Sequence, residues 1–272
     1  MKIAYVGYDA FYYCYEELRA AGHEISAVYS FPVDGDYETN TRLEEAAKRE
    51  NVPFSTERIT KEELSRLAEN GTEMLFCAGY IYRLPTDPRL YMVNFHPAPL
   101  PVGRGAWPMP VAILRGLREY GVALHRIAAE FDSGALLAVR RFPIGNENLE
   151  TLLLKIEEQA RPMIREVFSD FLSFYRRAEP QSGGEYWQEP SEDATVIRPS
   201  TPFSEAERVA RAFYGYHVRY VGAHETVTLK RAVVKEACPA GIPSFPVSGG
   251  YLIPAEDVRD SCPAATDHFS VM

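Results

Sequence analysis

The chain has 272 residues, 46% hydrophobic and 25% charged, an ordinary globular composition with length for one large domain and a small one. A formal net charge of −9 speaks against nonspecific polyanion binding, since a nucleic acid would be approached against long-range repulsion. No apolar run approaches the ~20 residues that span a bilayer, and residues 1–7 read as a strand rather than a secretory leader, so a soluble cytoplasmic protein is expected.

Residues 2–6 (KIAYV) are β-rich and end at Gly7. Residues 10–21 carry helical spacing, stopped by Gly22. A second strand is predicted at 24–30, then a polar loop at 31–39. The next helix, 40–50, has Thr39 or Asn40 as its cap and Glu44 and Glu45 in its early turns. Val52–Phe54 is a short strand, and 60–69 a helix capped by Thr60. Further strands are predicted at 73–78 and 90–95, and a helix at 107–117 entered through Pro108. Two more strands, 121–129 and 135–142, flank a turn at Asp132–Gly134, and one long helix covers 148–177. Strands alternating with helices predict a doubly wound, mostly parallel sheet covered on both faces, with ligands at the carboxyl ends of its strands.

Residues 179–203 are rich in Pro, Ser, Gly and Glu without a clear period, and read as a linker. Ser204 then caps a short helix ended by Gly215, and 216–221, 225–234 and 245–253 are short strands. The expected division is therefore a domain at 1–178, a linker at 179–203 and a small β-rich domain at 204–272, its last ten residues loosely ordered. Cys14, Cys77, Cys238 and Cys262 form no CxxC pair and no zinc-ligand spacing, so no metal is expected. Gly7 opens the text G-Y-D-A-F-Y rather than G-x-G-x-x-G, and there is no phosphate loop.

The informative text is VNFHPAPLPVGRGAWP, residues 93–108. Asn94 and His96 are two apart on a strand, so their side chains share a face. Pro97, Pro99 and Pro101 stiffen the exit, and Gly103 and Gly105 flank Arg104. The second piece is EFDSGALL, residues 130–137. Asp132 follows a strand taken to end at the same ligand edge. Taken singly, Asn94 reads as a turn former, His96 as a satisfied buried histidine and Asp132 as a turn cap. Their joint order, on fitting strands, points to a site. Arg104 either binds an anionic part of a substrate or covers its turn. His125, inside a strand, reads as structural, and Trp107 as packing.

N94-x-H96 followed by P-x-x-L-P and R-G, then D132-x-G after a later strand, resembles the folate-dependent formyltransferases. The resemblance covers about residues 1–178, and 204–272 is similar to a shortened form of the family's small OB-like carboxyl-terminal domain. It implies an N-formyltransferase that uses 10-formyltetrahydrofolate as co-substrate. Asn94 would hydrogen-bond the formyl oxygen, His96 would assist there and handle a proton, and Asp132 would orient His96 and accept the proton of the attacking amine. The loop 78–84 would present backbone to the folate pterin, with Tyr80, Tyr82 and Leu84 on that side and Ile127 and Glu130 on the opposite wall. Tyr8, Phe11 and Arg104 are assigned to acceptor binding, although the aromatic run at Phe11–Tyr13 suits a core-facing helix with solvent-edge tyrosines slightly better.

The family's tRNA-directed members carry a basic insertion after the second strand. Here that place reads SFPVDGDYETNTRLEEA, with Asp34, Asp36, Glu38, Glu44 and Glu45. A small-molecule amine is therefore expected as acceptor: an amino sugar on a nucleotide, or an amine of a siderophore or peptide. Transfer to methionyl-tRNA is the alternative. A formyltetrahydrofolate hydrolase and a noncatalytic folate binder are readings from other classes. A homodimer is compatible with the family resemblance.

Overall fold

The computed structural model describes residues 1–238 and 240–255. Cys262 and the expected loose order of the last ten residues lie outside the described residues. The chain divides into two compact units, Met1–Glu147 with Thr151–Glu189, and Asn148–Glu150 with Pro190–Met272.

In the first unit β1 (Lys2–Gly7) is buried from Ile3 onward, as expected of a strand covered on both faces. A short 3-10 turn at Asp9–Phe11 leads into α1 (Tyr12–Ala20). β2 (Glu24–Tyr29), α2 (Thr41–Glu50), β3 (Phe54–Ser55), α3 (Lys61–Glu69), β4 (Met74–Ala78) and β5 (Tyr91–His96) follow. Then come β6 (Val102–Arg104), α4 (Pro108–Leu114), β7 (Glu119–Arg126), β8 (Leu136–Pro143), α5 (Leu149–Ser169), α6 (Phe171–Arg176) and β9 (Glu185–Tyr186). The main sheet has seven strands in the order β3-β2-β1-β4-β5-β7-β8. Its first five strands are mutually parallel, and β7 and β8 are antiparallel to their neighbours. The doubly wound, mostly parallel architecture is thus present, with an antiparallel edge.

Several local expectations change. Asn40 sits at the start of α2, but its side chain makes no cap bond. It donates instead to the Phe31 carbonyl, while Asp9 accepts from the Arg42 and Leu43 N–H groups. A cap of this kind is worth about 1 kcal/mol, and here it comes from a residue far away in the chain. Thr60 caps α3 as expected, its hydroxyl oxygen accepting from Glu63 N at 3.2 Å. The single helix expected at 148–177 is two, because Asp170 (φ −146°) leaves helical geometry between α5 and α6. The 179–203 stretch, expected as a linker, is partly built into the sheet structure: β9 pairs in parallel with β6, and Trp187 behind it is 1% exposed.

The second unit holds β10 (Val196–Ile197), α7 (Phe203–Ala212), β11 (Val218–Val221), β12 (Thr226–Leu229), β13 (Ala232–Lys235), β14 (Phe245–Val247) and β15 (Gly250–Pro254). They form two three-stranded sheets, β10-β11-β12 and β13-β15-β14. Pro202, not Ser204, occupies the cap of α7, and the helix buries Ala206, Val209, Ala210 and Ala212. The strand expected at 225–234 is divided between the two sheets as β12 and β13. No described helix is long and apolar enough to cross a membrane.

Candidate active site

Three polar side chains gather on one face at the β5–β7 pairing. Asn94 and His96 project together from β5, and His125 stands directly opposite Asn94 on β7. Asn94 Nδ2 lies 3.0 Å from His125 Nε2. Neither histidine is accessible: the His96 side chain is 7% exposed and that of His125 2%.

Asp132 reaches this cluster by a route that differs from the expected one. β7 runs antiparallel to β5, so its carboxyl end, Arg126, lies opposite Val93 and away from the ligand edge. The loop 127–135 doubles back and returns the carboxylate to Asn94 (3.4 Å to Nδ2) and His96 (3.5 Å to Nδ1). Its other oxygen accepts the Gly105 N–H at 2.9 Å. Asp132 has φ 51°, a left-handed conformation that costs an ordinary residue about 1–2 kcal/mol and that Asp and Asn tolerate best. Gln181 holds the bend, donating to the Asp132 carbonyl at 2.7 Å and the Gly134 carbonyl at 2.8 Å. Gly134 is required by close approach, since a Cβ there would lie 1.8 Å from the Arg126 carbonyl oxygen.

The electrostatics follow from these contacts. His96 Nε2 is 2.7 Å from the Gly103 carbonyl, which only accepts, so Nε2 carries the proton. The Nδ1 lone pair of the neutral ring then faces the Asp132 carboxylate. Burial lowers the His96 pKa, and the attraction of Asp132 opposes this without overcoming it. Burial alone would raise the Asp132 pKa, but the positive charge that His96 carries once protonated and the hydrogen bond from the Gly105 N–H outweigh it and hold the carboxyl below the usual carboxylate range. At neutral pH the pair therefore holds a carboxylate and a neutral imidazole, with a gap that can take one proton and share it.

A lowered His96 pKa has two measurable consequences. Once the protonation of the acceptor amine itself is divided out, the kcat/KM profile should stay level as pH falls to about 6.5, the ordinary histidine value, and decline only below it. An acid limb centred above that value would contradict the assignment. The unfolded chain binds a His96 proton below about 6.5 that the folded chain refuses, so stability falls as pH drops through that value until the lowered folded pKa is reached.

The other assigned residues separate into groups. Tyr80 belongs to a buried apolar cluster of the first unit, and Tyr8, Tyr82, Leu84 and Ile127 pack against it, partly buried. The Tyr80 hydroxyl accepts from Ile59 N. Glu130 is exposed and pairs with Arg83 at 2.9 Å, and Arg83 also donates to the Ala129 carbonyl, so the 79–84 loop is tied to the 127–132 loop. Ile81 and Phe131, one on each loop, are exposed apolar side chains. Phe11 is 2% exposed and packs on Tyr8, Tyr13 and Phe95, which places it in the core rather than at a substrate surface. Arg104 donates to Gln181 (2.8 Å) and the Gly183 carbonyl (3.2 Å), so its guanidinium ties β6 to the segment that precedes β9. Trp107 donates to the Tyr37 hydroxyl at 3.2 Å. Sequence reasoning missed His125, Gln181 and the Gly105 N–H. Only the −7 spacing from Asp132 on a strand adjoining Asn94 could have pointed to His125.

The Formyl transferase family model matches residues 15–168. The methionyl-tRNA formyltransferase of Treponema denticola is 30% identical over 179 residues, covering 63% of this chain and 56% of the relative. That of Sphingopyxis alaskensis is 28% identical over 225 residues, covering 78% of this chain and 73% of the relative. The chain thus spans little more than half the length of the first of these relatives. Among solved structures, HypX from Aquifex aeolicus in complex with tetrahydrofolic acid superposes with a TM-score of 0.70 at 17% identity, over 93% of this chain and 43% of that one. An N-formyltransferase from Helicobacter canadensis, in complex with folinic acid and dTDP-3-aminofucose, gives 0.64 at 14% identity, over 93% and 98%. These two likenesses show the fold.

Proposed function

Because the chain belongs to the formyl transferase family, we propose that it moves a formyl group from 10-formyltetrahydrofolate to a primary amine. The observation that carries the reading is the convergence of Asn94, His96 and Asp132 into one buried, hydrogen-bonded cluster with room for a proton. The folate supplies a formyl carbon already bonded to a nitrogen that can leave. Asn94 Nδ2–H donates to the formyl oxygen as negative charge grows there. The His96–Asp132 pair takes the proton given up by the amine as the new C–N bond forms, and returns it to the departing folate nitrogen as the old one breaks. Tyr80, Tyr82, Leu84 and Ile127 would flank the pterin, with Glu130 fixing the opposite loop through Arg83. A flat ring suits that partly buried apolar border.

The acceptor in this reading is a small-molecule amine. Between β2 and α2 the chain is acidic, and Asp34 turns it back on itself by accepting from the N–H groups of Asp36, Tyr37 and Glu38. The Glu38 carboxyl is pushed up by burial and by Asp34 and Glu189. Such a segment lacks the positive charge that would draw in the many backbone phosphates of a tRNA. Methionyl-tRNA is the second reading, favoured by what the Treponema denticola and Sphingopyxis alaskensis relatives are called.

The test is incubation with 10-formyltetrahydrofolate and a panel of amino sugars on nucleotides, ornithine-type amines and charged methionyl-tRNA, with product detected by mass spectrometry as one added formyl group. Asn94→Ala should slow the productive reaction by about 10²–10³-fold, the usual cost of one oxyanion donor. Formate released at full rate without any amine would replace transfer by hydrolysis. Folate binding with no product from any acceptor would favour a binder.

A further inference from the structure

We infer that His125 is a positioning residue that determines which end of the Asn94 carboxamide faces the reacting atoms, an inference that rests on Asn94 being the formyl-oxygen donor. His125 Nδ1 lies 2.8 Å from the Arg126 carbonyl oxygen. That oxygen can only accept, so the ring proton sits on Nδ1 and the lone pair on Nε2. The lone pair is 3.0 Å from Asn94 Nδ2 and 3.5 Å from the nearer Asp132 oxygen, so its hydrogen bond is with Asn94. It can accept only from the amide NH₂, and would repel the amide oxygen. A backbone carbonyl of β7 thereby sets the orientation of a side chain on β5.

The second Asn94 N–H points to Asp132 across 3.4 Å, a long and weak contact. It is the hydrogen available to a formyl oxygen, while the shorter bond to His125 stays in place. The two anchors differ during the reaction. Asp132 stops attracting the amide once the His96–Asp132 pair gains a proton, whereas the His125 lone pair is unaffected. His125 is 2% exposed, so water does not replace it as acceptor. Without it the carboxamide can turn over and present its oxygen to the growing negative charge.

The test compares His125→Phe, which keeps a ring but has no acceptor, with His125→Gln, whose amide oxygen can reach the Nε2 position. His125→Asn serves as a second, polar loss variant, too short to reach Asn94. Thermal melts and folate affinity establish that each is folded. Phe and Asn should lower kcat about tenfold, the effect of one hydrogen bond, and Gln should restore most of it. The KM for folate should stay within about twofold, because the bond acts on transition-state charge rather than on binding. In an Asn94→Ala background, His125→Phe should cost nothing more. An equal loss in that background, or a Gln variant as slow as Phe, overturns the inference. An Asn94→Ala enzyme at full rate would overturn the donor role of Asn94 first, and the inference with it.

Discussion

Asp132→Asn should lower kcat by about 10²–10⁴-fold, the range for losing an acid–base group, while leaving fold and folate affinity close to those of the parent. The substitution is unusually clean. Asparagine tolerates the φ of 51° at this position and keeps an oxygen for the Gly105 N–H, so the loop has no reason to move. What disappears is the negative charge and the capacity to take a proton beside His96 Nδ1. His96→Ala should fall in the same range. The double variant should be little worse than the slower single one, since the two residues act as one proton-accepting unit. Single-turnover rates with a saturating amine would measure all three. An Asp132→Asn enzyme within tenfold of the parent would remove Asp132 from the chemistry.

Gly134→Ala should damage both stability and rate. An alanine Cβ would lie 1.8 Å from the Arg126 carbonyl oxygen, a backbone atom that cannot rotate away. The bend at 127–135 must open, and with it go the Arg126 N–H bond to the Ala135 carbonyl and the two Gln181 bonds. Overpacking of this kind costs about 1–3 kcal/mol or more. For a unit of this size that lowers Tm by roughly 2–4 °C per kcal/mol. The activity loss should exceed what the stability loss explains, because a carboxylate displaced by about 1 Å can lose about 10²-fold in rate. Calorimetry and kcat on one preparation separate the two effects. A variant with parental kcat would show that the bend does not position Asp132.

What is local and periodic in this protein was legible from the amino-acid order. Apolar runs broken by capped amphipathic helices fixed the alternating α/β order and most element positions. The spacing of Asn94 and His96 put both on one face, because the side-chain period of a strand is two whatever its neighbours are. The glycine two residues after Asp132 marked a bend. The pairings between distant segments came from the folded chain alone. Strand direction is not written in the local pattern, so β7 could not be known to run against β5, and Asp132 reaches the site by a returning loop rather than by a strand end. His125 reads as an ordinary buried strand residue until register sets it opposite Asn94. The aperiodic text around Gln181 and Trp187 gave no sign that it would brace Asp132 and pair with β6, nor could Asn40 reveal that Asp9 would cap its helix. In each case a hydrogen-bonding partner is fixed by where the fold brings two segments together, and local sequence carries no measure of that distance.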